Sequence, residues 1–219
     1  MPSPFDQSTY QVRLDWGTAG LARLAPADIV VVVDVLRFSS TVIDAAVADT
    51  EVVLAEAEGW SRNGAAVAAA ASPDAIVLVG GIRNATAVAR AVQTVQERRQ
   101  ARTSVAVIAA GEVDAGGVLR FAVEDQLGAG AVILALSDRG IDHTSPDAAV
   151  AAEGFRALRG ALRHMIGASG SGRELADGVA STARIDASGL TPTSTTDAAV
   201  LDAVDVVPVL REGSFARFE

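Results

Sequence analysis

Residues 29–41 read IVVVVDVLRFSST, and this stretch decides the fold of the chain. Its first five residues are apolar and favour β-structure, a pattern typical of a strand that is buried on both faces of a sheet. Asp34 and Arg37 follow at the carboxyl end of that strand, and the Ser-Ser-Thr cluster after them predicts the N-cap of the next helix. The stretch therefore predicts a strand, a charged turn and a helix in succession.

The turn after this strand is a candidate functional site. In open α/β sheets, ligands bind at the carboxyl ends of the strands, because loops and helix N-termini with free N–H groups converge there. A buried carboxylate without a partner is unfavourable, so Asp34 is expected to contact either a cation or Arg37. Two interpretations stay open from position alone: a structural ion pair at the strand end, or a ligand-binding site.

The hydrophobic pattern of the whole chain alternates strands with helices. We predict strands at residues 12–16, 29–35, 51–57, 75–80, 104–109 and 204–210, and helices at residues 40–48, 64–71, 85–99, 118–136, 146–166 and 173–180. Such alternation predicts an α/β fold, with one mostly parallel or mixed sheet and helices on both faces in three layers. Residues 181–198 are rich in Ser, Thr, Gly and Pro and predict a mobile loop. No linker divides the chain, so residues 1–219 are interpreted as a single domain.

The composition excludes several classes of protein. The net charge of −9 opposes binding to nucleic acid, because that binding depends on basic side chains that neutralise phosphates. The chain has no cysteine, which excludes disulfides, thiolate metal sites and cysteine nucleophiles. No apolar run approaches the roughly 20 residues of a membrane span, and the first residues lack the pattern of a signal peptide. We therefore expect a cytoplasmic protein that binds neither nucleic acid nor membrane.

Polar side chains also cluster at the ends of the other predicted strands. Each is a weak signal alone, because Asn-Gly is common in turns and Arg-Asn before a helix is often a cap. Their shared placement is informative, since the carboxyl ends of parallel strands meet at one edge of the sheet, and it predicts that Arg37 and Arg83 point into one crevice. The residues are Asn63 before a predicted helix, Arg83 and Asn84 after the strand AIVLVGG, Glu112 after the strand SVAVIAA, and Glu124 and Asp125 in the segment VEDQLGAGA.

An ordered series of motifs gives these residues a family context. The series is DVLRFSST, NGAAVAAAA, GGIRNATAVA, AAGE, VEDQLGAGA, SGRELADG and DVVPVLREGSF. Together the motifs resemble the 2-phosphosulpholactate phosphatase family, from residue 29 to the C-terminus. The resemblance implies a magnesium-dependent acid phosphatase that hydrolyses a small phosphorylated sulfonate on the path to coenzyme M, or a relative that acts on another small phosphomonoester.

The chain departs from this family pattern in two places. Only EGWSR separates the predicted strand at residues 51–57 from the Asn63-Gly64 turn, where the family usually has room for a further helix and strands. The segment at residues 181–198 is longer than the family normally has before its last strand. The alternative function is therefore a non-catalytic relative that binds a small anion or serves as an interaction domain. A missing segment also predicts exposed apolar surface, so we expect a homodimer or larger homo-oligomer.

Phosphomonoester hydrolysis requires positive charge around the phosphoryl oxygens, a positioned nucleophile and help for the leaving oxygen. We predict Asp34, Arg37 and Glu112 as catalytic residues, and Asp34, Glu124 and Asp125 as ligands of Mg²⁺, which prefers oxygen ligands. The nucleophile stays open between metal-bound water and a carboxylate. The predicted substrate-binding residues offer guanidinium forks, amides and hydroxyls to a small phosphorylated anion: Arg83, Asn84, Asn63, Ser39, Ser40, Thr41 and Arg173.

Other phosphatase chemistries fit the sequence less well. An aspartyl-phosphate enzyme of the haloacid dehalogenase type needs a second Asp two residues after the first, where this chain has Leu36. A phosphohistidine mechanism needs a histidine placed beside an arginine, and we interpret His143 and His164 as incidental. The chain also lacks the serine-hydrolase elbow, the phosphate-binding loop and the dinucleotide-binding glycine pattern.

Overall fold

The fold, seen in a computed structural model that describes residues 3–114, 116–178 and 180–219, alternates strands and helices along the chain. The strands are β1 (Val12–Trp16), β2 (Ile29–Val33), β3 (Val52–Val53), β4 (Ile76–Val79), β5 (Val105–Ala109), β6 (Glu112–Val113), β7 (Leu119–Arg120), β8 (Pro208–Arg211) and β9 (Ser214–Arg217). The helices are α1 (Gly17–Arg23), α2 (Phe38–Val47), α3 (Leu54–Ala57), α4 (Gly64–Ala69), α5 (Ala85–Arg99), α6 (Val123–Ser137), α7 (Pro146–Leu158), α8 (Leu162–Ala168), α9 (Gly170–Asp177), α10 (Ala180–Ala187) and α11 (Thr195–Ala198). Short 3-10 turns at Ile82–Asn84 and Arg159–Ala161 precede α5 and α8.

A mixed sheet forms the centre of the molecule. Within the described residues it has seven strands in the order β1-β5-β2-β4-β8-β9-β3. The strands β1, β5, β2 and β4 run parallel, and β8, β9 and β3 continue the sheet in antiparallel pairs. The strands β6 and β7 pair separately as a short antiparallel ladder. Because β2 lies between β5 and β4, the segments that follow these three parallel strands emerge at the same edge of the sheet.

The two faces of the sheet bury two different sets of side chains. Along β2, Val31 and Val33 pack into one cluster with Val88 of α5 and Leu127 of α6, whereas Val30 and Val32 pack into the other with residues of α2 and α4. This is the alternation that a strand requires, since successive side chains point to opposite faces. The predicted three-layer α/β/α fold is confirmed.

A glycine in α6 brings that helix close to the end of β2. A Cβ atom at Gly128 would lie 2.5 Å from Val35 Cγ2 and 2.8 Å from Val33 Cγ1. No larger residue fits this contact without displacement of the helix or the strand. The glycine therefore places the first turn of α6, which contains Glu124 and Asp125, beside the residues that follow β2.

Several predicted elements are wrong in their extent. In the predicted strand at residues 51–57, only Val52–Val53 pair with β9, and Leu54–Ala57 form α3 because Leu, Ala and Glu favour helix once pairing stops. The predicted helix at residues 118–136 begins at Val123, since Leu119–Arg120 pair with Glu112–Val113. The predicted helix at residues 146–166 ends at Leu158 and resumes in α8 after a 3-10 turn that contains Gly160.

The prediction of a mobile loop at residues 181–198 is wrong, because this segment contains most of α10 and all of α11. Ile185 of α10 is fully buried in the apolar cluster between the sheet and α2.

The predicted helix at residues 173–180 corresponds to α9, which ends where Gly178 adopts a left-handed conformation. Val179, which is part of that prediction, lies outside the described residues. The predicted strand at residues 204–210 forms only at Pro208–Arg211. None of the helices in the described ranges is long and apolar enough to cross a bilayer.

Candidate functional site

A cavity of about 190 Å³ opens beside the carboxyl end of β2. Two aromatic rings, Phe38 and Trp60, form part of its wall and lie 5.8 Å apart between their centroids. Its charged and amide side chains are Asp34, Arg37, Arg62, Asn63, Glu112, Glu174 and Arg184. The structure thus brings together four of the predicted site residues, namely Asp34, Arg37, Asn63 and Glu112, which belong to three different segments of the chain.

Asp34 is held by backbone N–H groups from two elements. The N–H of Gly64, at the start of α4, donates to Asp34 Oδ2 at 3.0 Å, and the N–H of Phe38 donates to Oδ1 at 3.4 Å. The residue is only 6% exposed. Burial raises the pKa of Asp34 to about 6, although the two amide bonds and the charge of Arg37 act in the opposite direction. Asp34 is therefore a fixed, buried carboxyl group that changes charge near neutral pH.

Asp125 joins the segments that follow β2 and β5. Its Oδ1 accepts from the N–H of Val35 at 2.7 Å, and its Oδ2 accepts from the N–H of Gly111 at 2.9 Å. Burial raises the pKa of Asp125 well above its ordinary value, and the negative charges of Asp34 and Glu124 raise it further. Asp125 thus has a structural role, in addition to any part in binding a cation.

Glu124 and Glu112 line a second cavity, of about 300 Å³, that adjoins the first through shared wall residues. Glu124 is 2% exposed, whereas Glu112 lines both cavities. Burial raises the pKa of Glu112, the charge of Glu174 adds to this rise, and the charge of Arg37 opposes it. Arg37 Nη2 lies 3.7 Å from Glu174 Oε2. The site therefore combines several carboxyl groups with arginines at close range.

The carboxylates do not form a closed metal site. Among the residues that the structure describes, no group of three or more His, Asp or Glu side chains has the arrangement needed to hold a metal ion. The oxygens of Asp34 and Asp125 already accept backbone N–H groups. Mg²⁺ is usually held by one or two carboxylates and keeps several waters. The residues fit a magnesium ion bound in that way by Asp34 with Glu124 or Glu112, and not one enclosed by Asp34, Glu124 and Asp125 together.

Three predicted substrate-binding residues have structural roles instead. Asn84 is fully buried, and its amide donates to the carbonyls of Val79 and Val206 while its Oδ1 accepts from Gly81 N–H. The hydroxyls of Ser39 and Ser40 donate to backbone carbonyls just before the helix. The prediction of a hydroxyl N-cap is also wrong, since α2 begins at Phe38 and its N-cap residue is Arg37, without a capping side chain.

Arg83 and Thr41 belong to a different cavity. Both line a space of about 620 Å³ bounded by α2 and the segment before α11. The guanidinium of Arg83 is paired with Asp44 of α2, which also accepts from Thr193 Oγ1 at 2.5 Å. The prediction that Arg37 and Arg83 share one crevice is therefore wrong, because Arg83 pairs with Asp44 in a cavity that neither Asp34 nor Arg37 lines.

Arg173 is exposed and does not line the cavity, but its neighbour Glu174 does. Successive helical residues point about 100° apart, so only one of the two can face the site. Trp60, Arg62, Glu174 and Arg184 are wall residues that the sequence interpretation missed. The motifs EGWSR and SGRELADG contain three of them, and Arg184 lies in the segment interpreted as a loop.

We expect Asp34 to titrate far above the usual range of an aspartate. Its pKa of about 6 predicts a mostly protonated group at pH 5 and an ionised one at pH 7, and stability from this group is lost as the pH rises from 3.8 through 6. Carboxyl ¹³C NMR should show this titration, and the Asp34→Asn variant should lack it. Added MgCl₂ should lower the midpoint if the ion binds there, since a cation favours the charged form. A midpoint below pH 4 without metal would contradict the buried geometry.

A sequence model of the 2-phosphosulpholactate phosphatase family matches residues 46–213, which is more than half of the chain. The matched range includes Asn63, Glu112 and Glu174, and it begins after Asp34 and Arg37. No curated protein matches the chain significantly.

Proposed function

Because the chain belongs to the 2-phosphosulpholactate phosphatase family, we propose that it is a phosphatase that hydrolyses a small phosphomonoester, with 2-phosphosulpholactate or a similar phosphorylated acid as the substrate and Mg²⁺ as the cofactor. The observation that carries this proposal is the cavity at the end of β2, which places the Arg37 guanidinium beside the buried carboxyl group of Asp34. A volume of about 190 Å³ suits a small metabolite.

Arg37 is the residue that we assign to the phosphoryl oxygens. A guanidinium is charged at every relevant pH and can donate two parallel hydrogen bonds to a phosphate. Its side chain is 12% exposed, so its charge is only partly screened by water. Asn63, at the rim of the same cavity, can contribute an amide donor.

Glu112 is the residue that we assign to supply the proton that the leaving oxygen needs. Burial and the nearby charge of Glu174 raise the pKa of Glu112, so a larger fraction of it is protonated in mildly acidic solution than for an exposed glutamate. A protonated carboxyl group can donate to the oxygen as the phosphorus–oxygen bond breaks, and this favours an alcohol leaving group. The arrangement agrees with a phosphatase that works best at acidic pH.

Mg²⁺, when bound, would neutralise charge on the phosphoryl oxygens and orient a water molecule. Asp34 with Glu124 or Glu112 would hold it. The negative charge of Glu124 raises the pKa of both Asp34 and Asp125, and a cation would relieve this repulsion.

The proposed function predicts magnesium-dependent turnover. The purified protein should release phosphate from at least one member of a panel of small phosphomonoesters that includes 2-phosphosulpholactate, phospholactate and 3-phosphoglycerate. Activity should fall to background in EDTA and return on addition of MgCl₂. Phosphate release that EDTA leaves unchanged would show that the activity does not depend on Mg²⁺. If no ester is hydrolysed, the alternative below is favoured.

The alternative is a non-catalytic relative that binds a small anion or serves as an interaction domain. One observation favours it, namely the short segment between α3 and α4, where only residues 58–63 stand in place of the further helix and strands that the family usually has. We also propose that the chain assembles as a homodimer or larger homo-oligomer, which the apolar side chains of Val118 and Phe121, 64% and 59% exposed, would support.

A further inference from the structure

Two arginines of the cavity wall have no role in the function proposed above. Arg62 lies in the turn before α4, and Arg184 lies on α10, so more than a hundred residues separate them in the chain. Both line the same cavity as Asp34 and Arg37. Within the described part of the chain, neither has an ion-pair partner within 4.0 Å, whereas Arg37 has Glu174 nearby.

The carboxyl groups of the cavity do not cancel the charge of these arginines. None of the three, Asp34, Glu112 and Glu174, lies within 4.0 Å of the guanidinium nitrogens of either arginine. Asp34 accepts the backbone N–H groups of Phe38 and Gly64, and Glu174 lies beside Arg37. Arg62 and Arg184 therefore leave positive charge on the wall that a second negative group on a ligand can neutralise.

The helix that contains Arg184 is fixed in place. The next residue, Ile185, is fully buried in the apolar cluster that also contains Phe38 and Trp60 of the cavity wall. Arg184 is itself partly buried and lines the cavity, unlike an arginine on the open surface.

We propose that Arg184 and Arg62 are specificity-determining residues that bind an acidic group, a carboxylate or a sulfonate, on the organic part of the ligand. Arg37 binds the phosphoryl group, as assigned above. The inference rests on the proposed function for the identity of the phosphoryl end, but the acid-binding role can be tested without turnover.

The test measures binding of malate, a small hydroxy acid with two carboxylates, and of inorganic phosphate. Trp60 lines the cavity and Trp16 does not, so a Trp16→Phe background restricts the fluorescence signal to the cavity. In this background, Arg184→Gln and Arg62→Gln should each weaken malate binding by about 10- to 150-fold, the usual effect of one lost hydrogen bond to a charged group. In both variants, the Kd for inorganic phosphate should change by less than about twofold.

Arg163→Gln is the matched control, because it removes the same charge from an exposed arginine of α8 that does not line the cavity. It should leave both affinities unchanged, and thermal unfolding should confirm that each variant is folded. Arg62 is exposed, so Arg62→Gln is expected to fold. It can therefore test the inference even if Arg184→Gln does not fold. Equal losses of malate and phosphate binding, or no malate binding by the parent protein, would overturn the inference. Specific loss of malate binding in a protein without phosphatase activity would support the inference and refute the proposed function.

Discussion

Asp34→Asn should lower phosphomonoester turnover by about 100- to 1000-fold, the range found when one electrostatic group of an active site is removed. The amide keeps the shape of the side chain and can still accept the Gly64 N–H, but it cannot carry the negative charge that attracts a cation. The protein should still unfold cooperatively, since the turn before α2 keeps its other backbone hydrogen bonds, including Ser39 N–H to Asp34 O at 2.8 Å.

The control for this prediction is Asp44→Asn. Asp44 belongs to the adjacent helix and pairs with Arg83 and Thr193, in the cavity that contains neither Asp34 nor Arg37. Its replacement should leave turnover within about a factor of three, the effect expected of a side chain outside the site. Phosphate release measured for both variants, with far-UV circular dichroism as the test of folding, separates the outcomes. Full magnesium-dependent activity in Asp34→Asn would show that Asp34 has no catalytic or metal-binding role.

The parts of the site that could be predicted from the sequence lie at strand ends. The apolar run of β2 is unambiguous because a strand buried on both faces has no polar positions, and Asp34 and Arg37 follow it directly. The same reasoning predicts Glu112, which follows β5, since segments after parallel strands meet at one edge. Asn63 follows α3 and not a parallel strand, because β3 pairs antiparallel with β9. The convergence of all four residues in one cavity is confirmed.

The residues that could not be predicted depend on partners distant in sequence. Asn84 was assigned to substrate, but its amide binds the carbonyl of Val206, 122 residues later. Arg83 was assigned to the same crevice as Arg37, and its pairing with Asp44 follows only from how α2 packs. A local pattern shows that a polar group needs a partner but does not identify the partner.

Arg184 and Glu174 were missed for a different reason. The composition of residues 181–198 resembles a loop, and helix propensity alone is a weak signal there. Tertiary packing of Ile185 stabilises α10 and brings Arg184 to the cavity. For Glu174, the helix was predicted, but the choice between Glu174 and Arg173 depends on the rotation of α9 about its axis, which is set by contacts with the rest of the fold.

Gly64 is the residue on which the geometry of Asp34 most depends. It begins α4, and its N–H donates to Asp34 Oδ2 at 3.0 Å. A Cβ atom at this position would lie 2.5 Å from Phe38 Cδ1, 2.7 Å from Phe38 Cγ and 2.8 Å from Asp34 Oδ2. Phe38 cannot move aside easily, because its ring is buried between Trp60 and Phe215. A side chain at this position must therefore move α4, the ring or the carboxylate.

Gly64→Ala should consequently destabilise the fold by about 1–3 kcal/mol, the usual cost of overpacking, and should also abolish most of the activity by displacing Asp34. Gly154→Ala is the matched control, because Gly154 lies inside α7 with no atom within 4 Å of an added Cβ. That variant should gain about 0.5–1 kcal/mol from the better helix propensity of alanine, with turnover unchanged. Urea unfolding and phosphate release, measured on both variants, test the prediction. If Gly64→Ala were as stable and active as the parent, the close approach of α4 to Asp34 and Phe38 would be wrong, and with it the way in which this chain positions its carboxylate.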